Sequence, residues 1–415
     1  MSFADDVSPA ATYLAVAGAQ VRRPADIVAD NPSNWRDPAN GADYLIITHA
    51  DFSDAVQPLA DHRQGQGHQV AVADVQDVYD EFSGGLLDPE AIRSFIGYAY
   101  AQWTPAPTYV LLVGDGSYDF LDHFGYGSKN YIPPYLGMVD RYLGETASDN
   151  RYAAVDGDDV LPDVLLGRLP VTSAAEARTV VGKILDYERD PEPGTWNTRH
   201  IFVADNADSA DDFSQSSDVV YNHYVTAPRT GRRIYLDDLS PNEAQSSALA
   251  AWQSGGVLLS FVGHSSWHQW AVENIFDFYD VPGLRNERRW PVVLSITCFT
   301  GYFHHPEYGT LDESLLRLDG GGAVATWSPS GLGIATGHGY LHTGFYSAVF
   351  DEGIVELGPA TWSAKLHLYS QAPVYDDLLD TYHLFGDPAM ALNLTYRPWP
   401  HSLYLPFIGR ARSGR

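Results

Sequence analysis

His264 and Cys298 are the side chains in this sequence whose type and placement suit nucleophilic chemistry. Each follows an apolar run: GVLLSFVG (256–263) leads into His264 and PVVLSIT (291–297) into Cys298. In open α/β sheets, reactive groups gather beyond the carboxyl ends of the strands. If the two runs are parallel neighbours, imidazole and thiol face each other across one crevice. Their spacing of 34 residues is enough for the crossover that parallel strands need. A thiol of ordinary pKa, about 8.5, is mostly protonated at neutral pH, and a nearby imidazole can stabilise the thiolate or carry its proton. Attack on a peptide carbonyl creates an oxyanion. The backbone N–H groups of Ser265 and Cys298, just past the two strand ends, are the expected donors to it. Gly263 and Gly301 allow tight turns beside both side chains. The same pattern would also arise from a small buried apolar cysteine and a hydrogen-bonded structural histidine.

The elements that must position this pair alternate between strand and helix. Short apolar runs predict strands at 43–48, 69–74, 109–115, 164–167, 200–205, 232–237, 256–263, 291–297 and 322–327. A helix is expected from Asp54 to His62. Asp88-Pro89-Glu90 predicts an N-cap with Pro at the first helical position, opening a helix to about Trp103. Capping boxes at Ser173–Glu176 and Ser240–Glu243 open two more, to about Arg189 and Gln253. Further helices are expected at about 311–318, 339–351 and 359–371, and a Gly-Asp-Pro turn leads into a closing strand within 383–394. Residues 116–162 read as loop-rich. The alternation predicts an α/β fold with a mostly parallel sheet. Pro191-Glu-Pro193-Gly194 marks a joint between two subdomains, about 41–195 and 196–395. Residues 1–40 read as an N-terminal leader or extended segment, and 396–415 as a tail.

Bulk composition narrows the possible functions. The formal charge is -28, from 53 acidic and 25 basic side chains, which repels nucleic acids and anionic membrane surfaces. No apolar run reaches the roughly 18 residues that span a bilayer. A single cysteine excludes an intramolecular disulfide and a cysteine-rich metal site, and suits an oxidising compartment. The first residues show no basic segment ahead of an apolar one. A metallohydrolase is the first rival reading, since His304, His305 and Glu307 cluster and His338 and His342 are spaced i, i+4. It lacks HExxH, however, and a serine hydrolase lacks its G-x-S-x-G elbow. A third reading, a binding or assembly module, draws on 26 Tyr and 10 Trp that could line a contact surface.

GVLLSFVGHSSWHQW and PVVLSITCFTGYF resemble the His and Cys blocks of the gingipain family of cysteine peptidases, in the caspase-like clan. YLIIT (44–48), YVLLVGDGSYDF (109–120), SDNRYAAVDGDDVLPDVLLGRLPV (148–171) and HLFGDPAMAL (383–392) resemble further blocks in the same order. The resemblance implies a caspase/gingipain-like three-layer sandwich in two subdomains. It implies a cysteine endopeptidase acting on protein or peptide substrates, with Cys298 as nucleophile and His264 as acid/base. Asp149 matches the block that holds an acidic residue orienting the histidine, and Asp159 aligns with the residue giving arginine-directed members their basic P1 preference. Trp327 and the loop 328–339 are expected to wall the substrate pocket. No cofactor is required for the chemistry. A structural Ca²⁺ is implied by analogy, with the acidic loops 115–122 and 149–163 as its place, and so is export to the cell surface or beyond. Where the family has His-Gly, this sequence has His264-Ser265.

Overall fold

The computed structural model describes residues 32–395, so most of the expected leader and all of the expected tail lie outside the described residues. In chain order the first strands are β1 (Tyr44–Thr48), β2 (Val70–Asp74), β3 (Tyr109–Val113), β4 (Leu136–Asp140), β5 (Gly144–Ala147), β6 (Leu165–Leu169) and β7 (Arg199–Ala204). Then come β8 (Thr230–Tyr235), β9 (Leu258–Val262), β10 (Gln269–Trp270), β11 (Phe276–Asp277), β12 (Val292–Ile296), β13 (Ala325–Pro329) and β14 (Tyr382–Phe385). Ten of these make one sheet in the order β2-β1-β3-β6-β14-β13-β12-β9-β7-β8, while β4–β5 and β10–β11 are separate hairpins. Neighbours in the sheet run parallel except β13 and β14, which are antiparallel.

Parallel strands with both faces covered read as unbroken apolar runs, and β1, β9 and β12 are buried at every residue. One face carries a single core under the helices Ser53–Gly65, Ala174–Arg189, Phe213–Tyr224, Ala335–Phe350 and Leu357–Gln371. The other face carries two cores. One lies under Val75–Ser83 and Pro89–Gln102, the other under Pro241–Ser254 and Leu311–Arg317. The result is the expected α/β three-layer sandwich with a mostly parallel sheet. The sheet itself is continuous: Arg168 of β6 pairs with Phe385 of β14, joining strands from both halves of the sequence.

The caps behave as their residue types require. Asp88 accepts from the Glu90 N–H with Pro89 at the helix start, and Ser173 accepts from the Glu176 N–H. Ser240 and Glu243 close a full capping box. Three expectations need correction. The region 116–162 holds the β4–β5 hairpin, and helices occupy Val75–Ser83 and Phe213–Tyr224. The closing strand ends before the Gly-Asp-Pro turn, because Asp387 is buried there as the partner of Arg63 and Tyr44.

Candidate active site

β9 and β12 pair in parallel with Val262 opposite Ile296. His264 and Cys298 each follow two residues later, so both emerge at the carboxyl edge of the sheet from adjacent strands. Gly263 is needed at the His264 turn, because a Cβ there would lie 2.4 Å from the Asp205 Cβ. That buried Asp205, just past β7, takes the His264 N–H on Oδ2 at 3.0 Å and the Asn206 N–H on Oδ1 at 2.9 Å. Burial raises its pKa while those two N–H groups work against the rise. The half-exposed imidazole packs edge-on against Phe213 at 5.1 Å and places Nε2 3.0 Å from Asp208 Oδ2. Two N–H groups and the imidazole act on Asp208: the Ala210 N–H holds its carboxyl below the usual range first, with His264 and the Asp211 N–H adding to the effect.

Cys298 is partly buried, with Sγ 3.9 Å from the Gly333 carbonyl. Burial pushes the thiol up to about 11; the Asp140 carboxylate adds to the rise and the Gly333 backbone opposes it. Among the described residues, Sγ and the imidazole are not hydrogen-bonded to each other. Phe299, directly after Cys298, sits at φ +58°, the left-handed region that a bulky residue occupies only when neighbours hold it there. Its N–H is donated to the Gly331 carbonyl at 3.1 Å. Asp140 braces the same loop from the β4–β5 hairpin, taking the Leu332 N–H at 2.6 Å and the N–H groups of Tyr142 and Leu143. Neither the Ser265 N–H nor the Cys298 N–H is engaged by an acceptor among the described residues. Thiol, imidazole and two free donors at one edge are the parts that acyl transfer uses.

The family model described as peptidase family C25 matches residues 37–393. The chain belongs to peptidase family C25. It is 22% identical to Gingipain R2 of Porphyromonas gingivalis over 264 residues, covering 62% of this chain and 32% of that protein. It is also 22% identical to Lys-gingipain of the same species over 306 residues, covering 72% of this chain and 16% of that protein. The chain thus spans a third or less of the length of these curated relatives. The crystal structure of the Arg-specific cysteine proteinase gingipain R superposes with a TM-score of 0.71 at 19% identity, covering 88% of this chain and 80% of that one. This likeness establishes the fold.

Within this C25 chain, the other expected site residues lie elsewhere. Asp149 does not reach His264. Its carboxylate is buried against Arg168, at 2.5 Å to Nε and 2.9 Å to Nη2, and the carboxylate on the imidazole is Asp208. Asp159 is exposed and accepts the Leu161 N–H of its own loop at 2.9 Å, whereas the carboxylate whose charge acts on Cys298 is Asp140. Trp327 is fully buried in β13 against Phe345 and Tyr382, so it is core and cannot touch a substrate. The loop after β13 does flank the thiol, through Gly331 and Gly333. Asp205 and Asp208 escaped the sequence reading. The signal for Asp205 was present, since HIFVAD carries it to a strand end just as GVLLSFVG carries His264.

The acidic loops spend their carboxylates internally. Asp119 accepts the N–H groups of His123 and Phe124, and Asp163 those of Val155 and Asp156. Among the described residues no group of three or more His, Cys, Asp or Glu is placed to hold a metal ion. The histidines that suggested a metallohydrolase are packing residues: His342 bonds Ser260 at 3.0 Å and His304 bonds Thr146 at 3.3 Å, both buried. No helix among the described residues is long and apolar enough to cross a membrane.

Proposed function

We propose that this chain is a cysteine endopeptidase with Cys298 as nucleophile and His264 as acid/base. The observation that carries the reading is that both side chains leave adjacent parallel strands at equivalent positions, two residues past a register pair. The thiol is protonated at rest, so His264 must take its proton as Sγ attacks the peptide carbonyl carbon. The Sγ–C bond forms and the carbonyl electron pair moves onto oxygen, where the N–H groups of Ser265 and Cys298 receive it. Collapse breaks the C–N bond, and the imidazolium protonates the leaving amine. Water then attacks the thioester, His264 takes its proton, and the thiol is regenerated.

The finer proposal is a preference for Arg or Lys at P1. It is supported by the Asp140 carboxylate beside Cys298 and by the formal charge of -28. An extracellular place of action belongs to the same proposal, supported by the single cysteine. A second reading, a catalytically weak binding or assembly module, is favoured by the missing hydrogen bond between thiol and imidazole. A fluorogenic peptide library separates them. The peptidase reading expects hydrolysis abolished by Cys298→Ala and lowered about 10²–10⁴-fold in kcat/KM by His264→Ala. Turnover absent from the unaltered chain would leave the module, and flat cleavage across P1 residues would remove the basic preference.

A further inference from the structure

Two hydroxyls bridge the turns that carry His264 and Cys298. Ser265 Oγ lies 2.7 Å from Thr297 Oγ1 and also donates to the Cys298 carbonyl, while Thr297 Oγ1 donates to the Gly263 carbonyl at 2.5 Å. Each hydroxyl has one hydrogen and a carbonyl can only accept. Thr297 therefore spends its hydrogen on Gly263, immediately before His264. Ser265 then directs its own hydrogen at the Cys298 turn, to the Cys298 carbonyl or to Thr297 Oγ1. The bridge runs in both directions, since the His side reaches the Cys turn through Ser265 and the Cys side reaches the His turn through Thr297.

The Cys298 carbonyl is fixed twice, by the Ser265 hydroxyl and by the Thr300 N–H at 2.8 Å. This carbonyl opens the peptide that leads into Phe299 at φ +58°. Holding it restrains the strained turn on which the thiol sits. The other end of the bridge sits on Gly263, whose neighbour His264 is already held by Asp205. Thr297 is fully buried and Ser265 partly so, which shields both bonds from water.

We infer that Ser265 and Thr297 form a hydroxyl clasp that sets the position of the imidazole relative to the thiol and aims the Ser265 and Cys298 N–H groups at the developing oxyanion. Both are positioning residues, and the inference rests on the peptidase reading. Misplacement of reacting groups is felt in the transition state more than in substrate binding. Ser265→Ala and Thr297→Val are each expected to lower kcat about ten-fold with KM unchanged within about two-fold. Because each removes the same bridge, the double variant should be no worse than either single one by more than about two-fold. Ser265→Thr and Thr297→Ser keep the hydroxyls and should restore kcat. Thermal midpoints are to be measured alongside. Full kcat in both hydroxyl-deleted variants, strictly multiplicative losses, or losses that follow the midpoint and are not rescued would overturn the clasp. Absence of turnover in the unaltered chain would instead defeat the peptidase reading itself.

Discussion

Replacing Asp149 with asparagine separates an orienting carboxylate from a structural one. Asp149 is 2% exposed and faces Arg168, which is fully buried, through two hydrogen bonds. Arg168 also donates to the carbonyls of Gly114, Ile132 and Pro133 and lies over the Phe303 ring at 4.7 Å. One guanidinium thus ties together the end of β3, the loop 131–133 and the segment following Cys298. Asparagine keeps the shape but turns an N–H₂ donor toward a group that can only donate, leaving a buried cation without its counter-charge. Removing one partner of a buried pair costs about 3–5 kcal/mol. Against a domain stability of about 5–15 kcal/mol, that is a large fraction. In urea unfolding followed by tryptophan fluorescence, Asp149→Asn should lower the free energy by that amount at unchanged slope. The folded fraction should keep kcat within about two-fold of the unaltered chain, because Asp149 does not touch His264. A variant with the original urea midpoint and a kcat loss of about 10²-fold would refute this reasoning and return Asp149 to the imidazole.

Other outcomes follow from the same geometry. Asp208→Asn removes the carboxylate at His264 Nε2; as both groups are largely exposed, kcat should fall about two- to five-fold, and a loss beyond about 10²-fold would mean a tighter coupling than the structure holds. With its thiol pushed up to about 11, Cys298 should show an iodoacetamide alkylation rate that climbs about ten-fold per pH unit through pH 10, since the thiolate is the reacting form; a plateau below pH 9 would contradict this. Burial holds His342 neutral, pushed down to about 3, whereas the unfolded chain gains a proton near about 6.5, so its share of stability is present above that pH and lost as pH falls toward 3. His342→Asn should therefore lose thermal midpoint less steeply than the unaltered chain on acidification from about pH 6.5, and parallel curves would count against it. EGTA should leave the midpoint unchanged, because Asp119, Asp149 and Asp163 already serve protein donors; a fall reversed by added Ca²⁺ would show otherwise.

Strands were legible wherever burial on both faces wrote an unbroken apolar run, as in GVLLSFVG and PVVLSIT, and helices wherever a cap marked the start, as at Ser240. The β4–β5 hairpin was not, because it packs weakly: Met138 is 81% exposed and the register slips between Met138 and Asp140. The helix Phe213–Tyr224 reads FSQSSDVVYNHY, and its few buried positions are diluted by polar ones. The placement of Cys298 and His264 at one sheet edge could be read because a strand end fixes where a side chain emerges. Asp149 was misread because a carboxylate's partner is a matter of tertiary packing. Arg168, 19 residues further on in β6, claims it, while Asp208, in an acidic stretch with nothing to distinguish it, meets the imidazole.

The sequence left two roles open for the imidazole, stabilising a thiolate or carrying a proton, and the structure bears on that choice. An ion pair needs the two groups in contact and a thiol that ionises readily. Here Sγ faces the Gly333 carbonyl, burial disfavours its charge, and Asp140 adds to the penalty. The imidazole rests instead on Asp208. A resting thiolate is therefore disfavoured at neutral pH, and in the proposed mechanism the proton leaves as Sγ attacks the carbonyl carbon. That makes the relative placement of the two turns the critical quantity, and the residue between them is Ser265, whose hydroxyl bonds to the Cys298 carbonyl. In this chain, the hydroxyl that stands beside the histidine holds the turn that carries Cys298.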